Sequence, residues 1–86
     1  MDVADERYKT EFKKRLKSAR VGAGYKTARL FASALGIPEA RYRKYERDDN
    51  QGILPGLQIL MQISVATRKS LTWLITGKSR WPPKSD

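Results

Sequence analysis

Apolar residues recur at helical spacing in five stretches of this chain, and turn-forming residues separate the stretches. Tyr8, Phe12, Leu16 and Ala19 follow one another at steps of four, four and three, which predicts a helix over about 8–21. Gly22-Ala23-Gly24 ends it, because glycine accepts the left-handed conformation that a helix C-terminus often needs. Ala28, Phe31, Ala32 and Leu35 mark a second helix over 28–35, with Thr27 as its N-cap and Gly36 as its stop. The third covers 38–47. Pro38 takes the first helical position, where a missing N–H is harmless, and Ile37 staples the chain to the core. Tyr42 and Tyr45 are its inward positions, with Glu46 beside them. The loop 48–56 leads to a fourth helix over 57–66. Leu57, Ile59, Leu60, Ile63 and Ala66 make it apolar over much of its circumference, which predicts a central place in the fold. Ser70 caps a short fifth helix over 71–76, and Gly77 follows it.

The expected fold is all-α, in one domain over 8–77. Residues 1–7 read as an N-terminal arm, and 78–86, with Pro82-Pro83 and no periodic pattern, as a flexible tail. Eighty-six residues bury a small core, which favours local helix pairing over a sheet.

Charge changes the picture more than composition does. The net formal charge is +9, and residues 7–47 carry 13 Lys/Arg against 3 Asp/Glu, while 48–86 carry 5 against 3. A positive field confined to one half of a small domain is the footprint of a polyanion binder. There is no cysteine and no histidine. Disulfides, thiolate chemistry, the usual zinc sites and imidazole catalysis are therefore excluded. Glu46, Asp48 and Asp49 lack the alternating spacing of a calcium loop, and no Ser or Thr has a base to activate it. The chain is thus expected to be no enzyme and to need no cofactor. The apolar runs are too short to span a membrane, and the acidic start lacks the pattern of a secretory signal, so a cytoplasmic location is expected.

The stretch from Thr27 to Arg47 carries the functional signal: a helix, a tight turn containing Gly36, then a second helix with a basic outer face. The small Ala32, four residues before that glycine, lets the two helices approach closely. This is the helix-turn-helix layout. Its residues come in an ordered set: Phe31-Ala32-x-x-Leu35-Gly36-Ile37, Tyr42-x-x-Tyr45-Glu46-Arg47, Pro55 before Leu60, and Ser70-Leu71-x-Trp73-Leu74-x-Thr76-Gly77. Over residues 12–77 the chain resembles the lambda-repressor-like helix-turn-helix domains of the phage Cro/CI and Xre type.

The resemblance implies a compact five-helix bundle that binds double-stranded DNA through its third helix. It also implies a structural ion pair between Arg20 and Glu46, and base-reading by Glu39, Ala40, Arg43 and Lys44. An arginine fork matches guanine O6 and N7, while a glutamate can accept from a cytosine amino group. Lys13, Lys17, Lys26, Thr27, Arg29, Arg41 and Arg47 are expected on phosphates, where they add affinity without sequence information. One domain makes few base contacts, so a homodimer on a palindromic operator is expected, acting as a repressor. Trp73, Leu74, Ile75 and Trp81 are the candidate dimer contacts, with Trp73 open between core and interface. The alternatives are the antitoxin of a toxin–antitoxin pair, with a toxin as protein partner, and a protein-interaction module on the same fold.

Overall fold

Helix-forming patterns and capping residues set the element order. In the computed structural model, which describes residues 3–49 and 51–78, five α-helices and no strand are found among the described residues. They are α1 (Val3–Gly22), α2 (Ala28–Leu35), α3 (Glu39–Glu46), α4 (Leu57–Thr67) and α5 (Leu71–Thr76). The bounds of α2 and α5 are those the periodicity and caps predict. The Thr27 hydroxyl accepts from the Leu30 N–H at 3.1 Å, and the Ser70 hydroxyl from the Trp73 N–H at 3.0 Å. Each satisfies an amide that the first helical turn leaves without a partner.

Three helices depart from their expected bounds. α1 begins at Val3, so most of the expected arm is helical. Ala4, four residues before Tyr8, continues the spacing of the stripe, and Asp5 and Glu6 are residue types that helix starts favour. Pro38 stands just outside α3 as its N-cap, with ψ at 142°, and not in its first turn. α4 runs one residue further, to Thr67, whose hydroxyl donates to the Ile63 carbonyl at 2.7 Å. The expected tail from Ser79 onward, Trp81 included, lies outside the described residues.

One core is shared by all five helices. Phe12, Leu16 and Ala19 of α1 meet Phe31, Ala32 and Leu35 of α2, Tyr42 and Tyr45 of α3, Ile63 of α4 and Leu74 of α5. An aromatic chain runs through it. Tyr25 lies 4.9 Å from Phe31 between ring centroids, Phe31 lies 5.2 Å from Tyr42, and Tyr42 lies 6.1 Å from Tyr45, the last two edge to face. Such geometry sets the positive ring edge against the negative face. Tyr8, expected on the inward stripe of α1, is more than half exposed.

The expected central place of α4 is also corrected. It packs against α1, α2 and α5, but only Ile63 and Thr67 are buried. Leu57, Met61 and Val65 face outward. Apolar character around a whole helix signals burial only when neighbours surround it, and the three helices packed on α4 do not enclose it. No helix among the described residues is long and apolar enough to cross a membrane.

Two turns fix how α2, α3 and α4 are joined. Gly36 adopts φ 73°, and the Ile37 N–H reaches back to the Ala32 carbonyl at 3.0 Å, closing α2 against the start of α3. After α3, the chain doubles back so that the Ile53 N–H bonds the Lys44 carbonyl at 3.0 Å. Gly52 sits in that bend so tightly that an added Cβ would lie 2.1 Å from the Arg47 carbonyl oxygen. Gly52→Ala is therefore expected to lower stability by about 1–3 kcal/mol, the usual range for overpacking, in urea unfolding. An unchanged midpoint would mean that the bend has room to open.

Candidate nucleic-acid interface

α3 is anchored from below by two cations of α1. Lys13 and Arg20 are seven residues apart, which puts them within about 20° of each other around the helix. Both hold the C-terminal end of α3, Lys13 by its backbone and Arg20 by a side chain. The Lys13 ammonium donates to the carbonyls of Lys44 at 3.1 Å, Tyr45 at 2.8 Å and Ile53 at 2.7 Å. Lys44 and Tyr45 belong to the last turn of α3, whose carbonyls have no helical partners and carry the negative end of the helix dipole. One buried ammonium thus caps α3 and ties the following loop to it.

This overturns the expected role of Lys13 on DNA phosphate. Its residue is only 2% exposed. Burial, with Lys9 alongside, lowers its pKa from 10.5 to about 8, against the opposing pull of Asp48 and Asp49. Lys13 stands at the edge of the α1 stripe, three residues before Leu16, but the acceptors that turn it inward lie more than thirty residues away and are brought there only by the fold.

Arg20 and Glu46, paired by resemblance, do meet. The Arg20 Nε donates to a Glu46 carboxylate oxygen at 2.8 Å, and its Nη1 donates to the Tyr25 carbonyl at 2.7 Å. The Tyr42 hydroxyl donates to the same Glu46 oxygen. Burial, then that hydrogen bond, pushes the Tyr42 hydroxyl far above its ordinary range, so it remains a donor. The network locks the inner face of α3 to α1 and to the turn before α2.

A third cation went unnoticed in the sequence. The Arg15 guanidinium donates to the carbonyls of Leu74 at 2.9 Å and Ile75 at 2.8 Å, capping α5 as Lys13 caps α3. Only the tertiary fold brings those carbonyls to α1, and nothing near Arg15 in the chain announces them.

With its inner face fixed, α3 presents the rest outward. Ala40, Arg41, Arg43 and Lys44 are exposed, as is Arg47 just past its end. Ala40, Lys44 and Arg47 follow one line of the helix, flanked by Arg43. Glu39 is half-buried, and its carboxylate holds Arg43, with Nε at 2.6 Å and Nη2 at 2.5 Å. Arg47 is held in turn by Asp49 at 2.8 Å. Arg41 donates from Nε to the Tyr45 hydroxyl at 3.0 Å. Exposed pairs of this kind are worth about 0–1 kcal/mol, so their cations exchange readily onto an incoming anion.

Lys26, Thr27 and Arg29 are exposed at the start of α2, where the helix dipole is positive. A depression of about 390 Å³ lined by Ala28, Arg43, Glu46 and Arg47 joins that helix start to the outer side of α3. Lys17 is exposed on α1. Thus all the expected contact residues but Lys13 are at least partly accessible, and those of α2 and α3 adjoin one another.

The candidate dimer contacts fare less well. Leu74 is fully buried in the core of its own chain and cannot meet a second one. Trp73 is half-buried, with the Lys69 ammonium 5.1 Å from its ring centre. Ile75 is exposed, and Trp81 lies outside the described residues. Comparison of the chain with protein-family models, with curated proteins and with solved structures finds no match.

Lys13→Met is expected to destabilise the fold by on the order of 3 kcal/mol, since it leaves the Tyr45 and Ile53 carbonyls without the ammonium and the Lys44 carbonyl with the Ile53 N–H alone. The linkage has a definite sign. Lys13 ionises lower in the folded chain, so between about pH 8 and 10.5 the unfolded chain binds more protons, and wild-type stability rises with pH relative to the methionine variant. Urea unfolding across that window measures it, and a falling difference would contradict the buried ammonium.

Proposed function

We propose that this chain is a lambda-repressor-like helix-turn-helix protein that binds double-stranded DNA, laying α3 in the major groove and α2 across the phosphate backbone. The observation that carries the reading is the division of α3 into two faces. Tyr42, Tyr45 and Glu46 are committed inward and the C-terminus is clamped by Lys13, while Ala40, Arg43, Lys44 and Arg47 remain outside. Eight residues make a rod about 12 Å long, and the major groove is about 12 Å wide.

The roles divide by chemistry. Arg43 and Lys44 read guanine, and Ala40 leaves room for the helix to approach a base edge. Glu39 accepts from a cytosine amino group or steadies Arg43, and in either role it repels phosphate. It therefore adds specificity without affinity. Lys17, Lys26, Thr27, Arg29, Arg41 and Arg47 contact phosphate. Two copies on a palindrome, with recognition helices about 34 Å apart, supply the affinity that one domain lacks, and occupancy of that site represses transcription.

Selection of bound sequences from random DNA, followed by gel shift, tests this. Arg43→Ala is expected to relax preference at one base pair per half-site, by about 1–3 kcal/mol, with little change elsewhere. Lys17→Ala is expected to weaken all sequences alike and to reduce the salt slope by about one. Failure of the wild-type chain to retain DNA at low salt would refute the reading.

A further inference from the structure

The chain carries 18 Lys/Arg and 9 Asp/Glu, yet α4 contains no charged residue at all. Its outward face is an unbroken apolar line. Leu57 is 69% exposed, Met61 53% and Val65 79%, each one turn from the next. Ala34 of α2 borders the line, and Leu30, 51% exposed, continues the same face of α2 one turn earlier. Between the two helices lies a groove of about 430 Å³ lined by Ala34, Leu35, Gln58, Met61, Gln62 and Val65. Isolated exposed apolar residues are ordinary, but a contiguous line of them marks a contact surface.

We infer that this face binds a second copy of the chain through an antiparallel pair of α4 helices. Charge and symmetry favour that occupant. Two chains of net charge +9 repel one another at their basic faces, and α4 is where they can meet without bringing like charges together. A partner selected by opposite charge would be drawn to the basic surface and would find nothing to pair with on α4. The line is also symmetric about its middle, because Leu57 and Val65 each stand four residues from Met61. A two-fold axis through Met61 sets Leu57 of one copy against Val65 of the other, and Met61 against its own counterpart, as an isologous contact requires.

The area is sufficient for a modest association. Leu30, Leu57, Met61 and Val65 leave on the order of 500 Å² of apolar surface per chain, so a pair buries about 1,000 Å², at the lower bound for a specific interface. The inference names the surface for the second copy invoked in the proposed function, in place of α5, and it does not require DNA.

Its test is therefore made without DNA. Sedimentation equilibrium at about 100 μM is expected to give twice the 9.8 kDa chain mass, with dissociation on dilution into the low micromolar range. Val65→Asp is expected to weaken the dimer at least about tenfold while thermal unfolding at low concentration is unchanged, since the residue lies outside the core. The chain has no cysteine, so Met61→Cys introduces one thiol on the axis, and it is expected to oxidise to a disulfide-linked pair much faster than Ile75→Cys on α5. A monomer at that concentration, a dimer indifferent to Val65→Asp, or faster linking through Ile75→Cys would each overturn the inference. None of these outcomes bears on whether the chain binds DNA, which the gel shift decides separately.

Discussion

Everything outward about α3 depends on the ammonium of Lys13. A helix of eight residues gains little stability from its own hydrogen bonds, because nucleation is unfavourable and its last carbonyls have no helical partner. Lys13 supplies three donors to three carbonyls, two of them in that last turn. The remaining hold comes from the Arg20–Glu46–Tyr42 network and the edge-to-face packing of Tyr42 and Tyr45. Tilt, rotation and register of α3 are thus fixed before any ligand arrives. A short rod whose outer side chains meet a partner needs that fixity, since a loose helix would have to be ordered on binding.

The same economy explains where the positive charge goes. α1 is rich in lysine and arginine, and three of its cations, Lys13, Arg15 and Arg20, are spent on joining it to α3 and α5. No buried side-chain polar atom among the described residues lacks a partner, so these inward cations are satisfied. A small all-helical core has few large side chains to clamp its elements. Carbonyls at helix ends are the strongest acceptors available, and long cationic side chains can reach them from a neighbouring helix. The net charge therefore overstates what is free to meet an anion, and the outer face of α3 with the start of α2 keeps the accessible share.

α4 shows the opposite arrangement. It lies against α1, α2 and α5, but a bundle of this size cannot surround it, and an uncharged apolar line stays outside. The basic surface centres on α3 and the apolar one on α4, with α2 bordering both. Contact with a polyanion and contact with another protein surface are then separable in the molecule, because a substitution on α4 leaves the clamps on α3 untouched.

The five helices, the stops at Gly36 and Gly77, the caps at Thr27 and Ser70, and the inward tyrosines were legible in the residues themselves. Each is set by local chemistry: periodicity, a hydroxyl beside a free amide, a glycine where φ is positive. What neighbours decide was not legible. Lys13 reads as a surface cation until α3 places its carbonyls within reach. Leu74 reads as available for a partner until it fills the floor of the core, and α4 reads as central until too few helices turn out to enclose it. Sequence determines which faces are apolar and which ends need partners; only the packed structure decides which of those needs the chain meets from within, because that depends on distances between segments far apart along it.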